Sequence, residues 1–178
     1  MRRVVLSLAL FSLASSVLFG AGLSNRRAPG FALPDVDLKY HDLADYRGKV
    51  VLVNVMKTTC PHCTTFSKSL NVAQQKYGSR IKVLSIVNHQ DTQGMVKDYR
   101  RNNGISTTIL FDCGQATASY LKLSPSNPSF QTPHLFVIDQ KGWIQEDHGY
   151  NLLNKGLFEG SGVNSVIEKY LGPTSAAD

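Results

Sequence analysis

The chain alternates apolar runs of strand length with stretches in which apolar residues return every three or four positions. Val50 to Met56 is apolar except at Asn54, the pattern of a central strand covered on both faces. Thr64 to Tyr77 carries helical spacing, and Ile81 to Asn88 alternates and is rich in β-branched residues, predicting a helix and then a second strand. Gln90 to Arg101 sets Met95, Val96 and Tyr99 at helical spacing and ends at Asn102-Asn103-Gly104, a C-cap signal. Thr107 to Phe111 predicts a third strand and Gly114 to Leu123 another helix. Strands alternating with helices in this way predict βαβ units around a mainly parallel core, an α/β fold.

On either side of this block the pattern is weaker. Phe31 to Arg47 reads as an extended segment with one helical turn around Leu43 to Tyr46, after a short linker over 23–30. Ser124 to Ser129 is a loop by composition. Leu135 to Ile138 and Trp143 to Tyr150 form a hairpin about the turn Asp139-Gln140-Lys141-Gly142. A last helix, Gly162 to Leu171, turns Val163, Val166, Ile167 and Tyr170 inward, and 172–178 is a disordered tail. There is no internal repeat, and 31–171 reads as a single domain.

The N-terminus is of a different kind. Arg2-Arg3, then Val4 to Leu18, almost all apolar or small, then Phe19-Gly20-Ala21-Gly22 are the three regions of a secretory signal over 1–22. Phe19 is large for the −3 position of a cut after Ala21, whereas Gly20 and Gly22 suit a cut after Gly22. Val4 to Leu23 also approaches the roughly 20 residues that span a bilayer, so a retained anchor stays open, although Ser7, Ser12, Ser15 and Ser16 dilute it. Either outcome puts the folded part outside the cytoplasm, in a periplasm or cell envelope.

Charge narrows the partners. The net charge is +6, with the nineteen basic residues dispersed and two of them, Arg2 and Arg3, in the leader. Without a run of like charges or basic–aromatic interleaving, nucleic-acid binding is excluded. A chain of 178 residues buries close to ~70% of its unfolded surface without disulfide staples, which frees the cysteines for chemistry.

That chemistry centres on Thr59-Cys60-Pro61-His62-Cys63, where the first strand hands over to its helix. Residues at i and i+3 share a helix face, so Cys63 lies beneath Cys60, within reach of a mixed disulfide. Pro61 suits the first helical position, and this puts Cys60 at the helix N-terminus, where free amides and the macrodipole favour a thiolate. His62, when protonated, adds a positive charge beside Cys60 and lowers its thiol pKa further; chance use of histidine there is the alternative. A C-x-x-C is also half of a zinc site, but zinc needs two more closely spaced ligands. Cys113 is the only other cysteine, and there is no H-x3-5-H, so neither metal nor cofactor is called for.

These residues carry a resemblance. Gly48-Lys49-Val50-Val51-Leu52-Val53-Asn54-Val55, the C-x-x-C, its helix and a later Thr132-Pro133 before an apolar strand resemble the thioredoxin fold, a central mixed β-sheet flanked by helices. Ala28-Pro29-Gly30-Phe31-Ala32-Leu33-Pro34 and Leu43-Ala44-Asp45-Tyr46-Arg47-Gly48-Lys49 are similar to the lead-in of its redoxin branch, the TlpA/ResA-like thiol–disulfide oxidoreductases and the AhpC/TSA peroxiredoxins. The resemblance implies an exported oxidoreductase that reduces or oxidises protein cysteines through Cys60 and Cys63, served by a membrane-bound redox donor or acceptor. It implies a cis Pro133 facing the C-x-x-C, with Thr132 offering backbone hydrogen bonds to an extended substrate; a trans proline in a turn is the bland alternative. It also implies a buried acid six residues before the first cysteine in thioredoxins. Here that residue is Asn54, which cannot ionise and is familiar in the TlpA-like branch.

Two further functions stay open. Peroxiredoxins place threonine or serine three residues before the reactive cysteine and proline seven before it, where this chain has Lys57 and Val53. Copper chaperones of the Sco kind use C-x3-C and a distant histidine, for which His134 is the candidate. His134 either projects near the sulfurs or, by strand alternation, points away. His89 reads as a loop residue, and Cys113 either sits idle at a strand–helix junction or acts as a resolving or intermolecular thiol. The Pro-His pair between the cysteines also occurs in strongly oxidising DsbA proteins, which this chain otherwise does not resemble.

Overall fold

The computed structural model describes residues 23–172, so the signal or anchor reading of 1–22 and the tail beyond 172 lie outside the described residues. Six strands form one mixed sheet: β1 (Arg26–Arg27), β4 (Val50–Val55), β5 (Ile81–Asn88), β6 (Thr108–Asp112), β7 (His134–Ile138) and β8 (Trp143–Gly149). Their order is β1-β8-β7-β4-β5-β6. β4, β5 and β6 run parallel, whereas β7 is antiparallel to both β4 and β8. The parallel core is therefore three strands wide and the other half is antiparallel.

The helices are α1 (Pro61–Tyr77), α2 (Gln93–Asn103), α3 (Gln115–Leu121), α4 (Lys155–Glu159) and α5 (Gly162–Leu171). α1 begins with proline at its first turn and ends at Gly78, whose φ of 55° favours glycine. α2 is capped by Thr92, whose side chain accepts from the Met95 N–H, and stops at the left-handed Gly104.

Strand alternation divides the core. Val50 and Leu52 of β4 and Leu135 and Val137 of β7 meet Phe66, Leu70 and Ala73 of α1, Phe158 of α4 and Val163 and Ile167 of α5. Val51, Val53 and Val55 face the other way with Phe136 and Ile138, onto Ala116, Tyr120 and Leu121 of α3. Every residue of β4 is buried, which is why its apolar run is nearly continuous. A fully buried side chain such as Phe66 or Leu70 contributes on the order of 1.5–3 kcal/mol.

Several elements differ from expectation. The stretch 23–30, expected to be a linker, holds β1, whose backbone pairs with Trp143 and Ile144. The lead-in, by contrast, has the expected extended segment and helical turn: a small hairpin of β2 (Ala32–Pro34) and β3 (Tyr40–Asp42) is followed by the 3-10 turn Leu43–Tyr46. In α5 the fully buried positions are Val163, Ile167 and Leu171, with Val166 and Tyr170 only partly covered. No helix among the described residues is long and apolar enough to cross a membrane.

Candidate active site

Cys60 is the N-cap of α1. Its Sγ accepts the N–H of Cys63 at 3.2 Å and lies 3.8 Å from the carbonyl oxygen of Thr132. The positive end of the helix and a free amide thus point at this sulfur, where negative charge is best accommodated. Cys60 is partly exposed while Cys63 is buried, and both are free thiols. Burial, reinforced by the Cys60 sulfur, pushes the Cys63 thiol up to about 12. One cysteine is partly exposed; the other is shielded and held protonated.

Two anchors fix the motif. Thr58 donates both its N–H, at 3.0 Å, and its hydroxyl to the carboxylate of Asp91, a buried residue between β5 and α2. Behind the motif, Tyr99 of α2 donates to Ser67 Oγ at 2.9 Å, and Cys63 packs with Met56, Val87 and Val96. The Thr132–Pro133 peptide is cis. The Pro133 carbonyl accepts the N–H of Tyr150 at 3.1 Å, which ties this loop to the end of β8.

His62 is hydrogen-bonded to neither sulfur. Its ring stacks on Tyr150 with centroids 4.3 Å apart, and its Nδ1 lies 2.8 Å from Glu159 Oε1. Tyr150 donates to the same oxygen at 2.7 Å. The hydrogen bond to Glu159 raises the Tyr150 phenol, with smaller contributions from burial and from the charges of Glu159 and Cys60.

The other histidines and the third cysteine lie apart. His134 sits on the face of β7 that packs on α3, stacked on Phe136 with its Nε2 3.7 Å from Asp147 Oδ1. It points away from α1, so the Sco-like alternative loses its third ligand; among the described residues no group of three or more His, Cys, Asp or Glu could hold a metal ion. His89 is exposed in the turn after β5, and Cys113 is exposed between β6 and α3. Asn54 is fully buried on the α1 face; its Nδ2 donates to Ser85 Oγ at 3.3 Å while its Oδ1 has no partner. Glu159, Tyr150 and Asp91 were not singled out as site residues from the sequence. Each joins the motif through a contact 33 to 97 residues away or through another such residue, and no local pattern marks them.

A model of the AhpC/TSA family matches residues 25–147. The chain belongs to that family. Within it, the chain is 25% identical over 125 residues to the thioredoxin-like protein YneN of Bacillus subtilis, covering 69% of each. It is 26% identical over 121 residues to the thiol-disulfide oxidoreductase ResA of Bacillus thuringiensis, covering 68% of this chain and 66% of that one. The match thus spans about two thirds of these relatives. A thiol:disulfide interchange protein of the thioredoxin family from Chlorobium tepidum has the same fold, with a TM-score of 0.67 at 23% identity over 83% of this chain and 97% of that one. The architecture is the thioredoxin fold.

Proposed function

We propose that this family member is a thiol–disulfide oxidoreductase in which Cys60 attacks and Cys63 resolves. The observation that carries the reading is the asymmetry of the pair: Cys60 caps a helix start and is partly exposed, while the Cys63 thiol is buried and raised to about 12. The Cys60 thiolate attacks a protein disulfide, forming a mixed disulfide and releasing one substrate thiolate. Cys63 gives up its proton and attacks Cys60 Sγ, closing Cys60–Cys63 and releasing the second thiolate. The substrate gains two electrons and two protons, and the protein dithiol loses them. In the oxidising direction the same steps run backwards.

The Thr132 carbonyl beside Cys60 and the cis Pro133 supply an edge for an extended substrate segment, with Pro61 setting the helix start. The leader-like 1–22 supports action outside the cytoplasm, either after cleavage or on an anchor, with a membrane-bound donor or acceptor resetting the pair. The resemblance to the TlpA/ResA-like branch favours the reducing direction, against the Pro-His pair, which favours the oxidising one. The test is the reduction of a model protein disulfide by the reduced chain, together with the equilibrium potential of Cys60–Cys63. A potential near about −270 mV marks a reductant and one near about −120 mV an oxidant. Failure of both the reduced chain to open and the oxidised chain to form any protein disulfide overturns the reading.

A further inference from the structure

Two elements remote in sequence converge on one carboxylate oxygen of α4. Glu159 Oε1 receives His62 from α1 and Tyr150 from the end of β8, and Lys155 Nζ approaches Oε2 at 3.3 Å. Tyr150 and His62 also stack, so the imidazole is gripped on its face and at its Nδ1 edge. The carboxylate is held below the usual range chiefly by the Tyr150 hydroxyl; burial opposes it, and His62 and Lys155 each add a smaller lowering effect. An ionised carboxylate only accepts, so Nδ1 carries the hydrogen in this contact.

The grip is built into the fold. Phe158, next to Glu159, is fully buried with its ring 4.7 Å from Phe66 of α1 and 5.6 Å from Tyr150. Just beyond it the chain closes tightly on α4: a Cβ on Gly162 would lie 2.7 Å from the Gly156 carbonyl oxygen and 2.9 Å from Leu157 Cα. α4 therefore has little freedom to slide, and Glu159 keeps its place over α1. Meanwhile the hydrogen-bond partners of Cys60 Sγ among the described residues are Cys63 and Thr132, not His62.

We propose that Glu159 is a positioning residue that, together with Tyr150, holds His62 off Cys60 and thereby sets the reduction potential of the dithiol. The inference rests on the proposed oxidoreductase function. An imidazolium beside Cys60 would stabilise its thiolate and so the reduced form, which makes the couple more oxidising. Glu159 opposes this twice, by drawing the ring onto Tyr150 and by setting a negative charge against it.

The test equilibrates wild type, Glu159→Gln, His62→Ala and the double variant with defined ratios of glutathione and its disulfide. Each dithiol that closes passes two electrons and two protons to one glutathione disulfide, giving two glutathione thiols. Glu159→Gln is expected to shift the equilibrium about tenfold towards the dithiol, equal to about 30 mV, and to add nothing in the His62→Ala background. A shift under threefold, or an equal shift with His62 absent, overturns the inference. If Glu159→Gln does not fold, Tyr150→Leu removes both the ring stacked on His62 and the hydroxyl bound to Glu159, and the same two readings apply. A normal wild-type potential with unshifted variants overturns this inference alone. A wild-type chain that exchanges with neither glutathione nor a protein disulfide takes the proposed function down with it.

Discussion

The backbone N–H of Cys63 donates to the Sγ of Cys60 at 3.2 Å, so the residue that would resolve the mixed disulfide also helps hold the attacking sulfur in place. One helical turn carries both tasks, because the N-cap sulfur and the third residue of the helix share a face. Cys60→Ser is expected to abolish reduction of a protein disulfide. Cys63→Ser is expected to halt it after the first step, leaving a stable adduct. A turnover assay followed by non-reducing electrophoresis separates the two outcomes.

The Cys63 thiol, pushed up to about 12, predicts the pH dependence of the second step. Only the thiolate attacks, and its fraction rises tenfold per pH unit below the pKa. Burial, the largest cause of the raised pKa, persists when Cys60 is in a mixed disulfide, so resolution of a preformed adduct should accelerate up to about tenfold per unit between roughly pH 6 and 9. Stopped-flow release of a chromophoric thiol reads this directly, and a plateau within that range would show Cys63 to be far more acidic.

Asp91 braces the approach to the motif through two hydrogen bonds from Thr58. Asp91→Ala leaves the Thr58 N–H without its acceptor in a part-buried position, which costs about 1–3 kcal/mol. Urea unfolding should show this loss, with exchange slowed as the Lys57 to Thr59 turn loosens.

Glu146 joins β8 to α5 through Lys169 Nζ and Tyr170 OH, both at 2.6 Å. Burial raises its carboxyl, but hydrogen bonds from Lys169, Tyr170 and His148 outweigh that and hold it at about 2. Because the folded value lies below the ordinary 4.5, the contribution is complete above that pH and fades as pH falls towards 2. Glu146→Gln should cost on the order of 1–3 kcal/mol at pH 7 and flatten the stability profile between those limits. Thermal melts across that pH range test it.

Much of this was legible because it is local. Proline at the first turn of α1, the cysteine spacing, the apolar run of β4 broken only at Asn54 and the stripe of α5 each lie within a few residues, so their physics is written in adjacent side chains. β1 is held by backbone pairing of two arginines, which have no apolar alternation to betray a strand. α4 is five residues long, too short for a helical period to register. The direction of His134 depends on the register of β7 against β4, where it pairs with Val55. The partner of His62 lies 97 residues away, and no spacing rule joins the two.

The division of labour between the sulfurs is tested most directly by mapping the adduct formed when Cys63→Ser, in a Cys113→Ser background, meets a protein disulfide at neutral pH. Peptide mass spectrometry should find the substrate bound through Cys60. No adduct, or an equal yield after Cys60→Ser is added, would contradict the account.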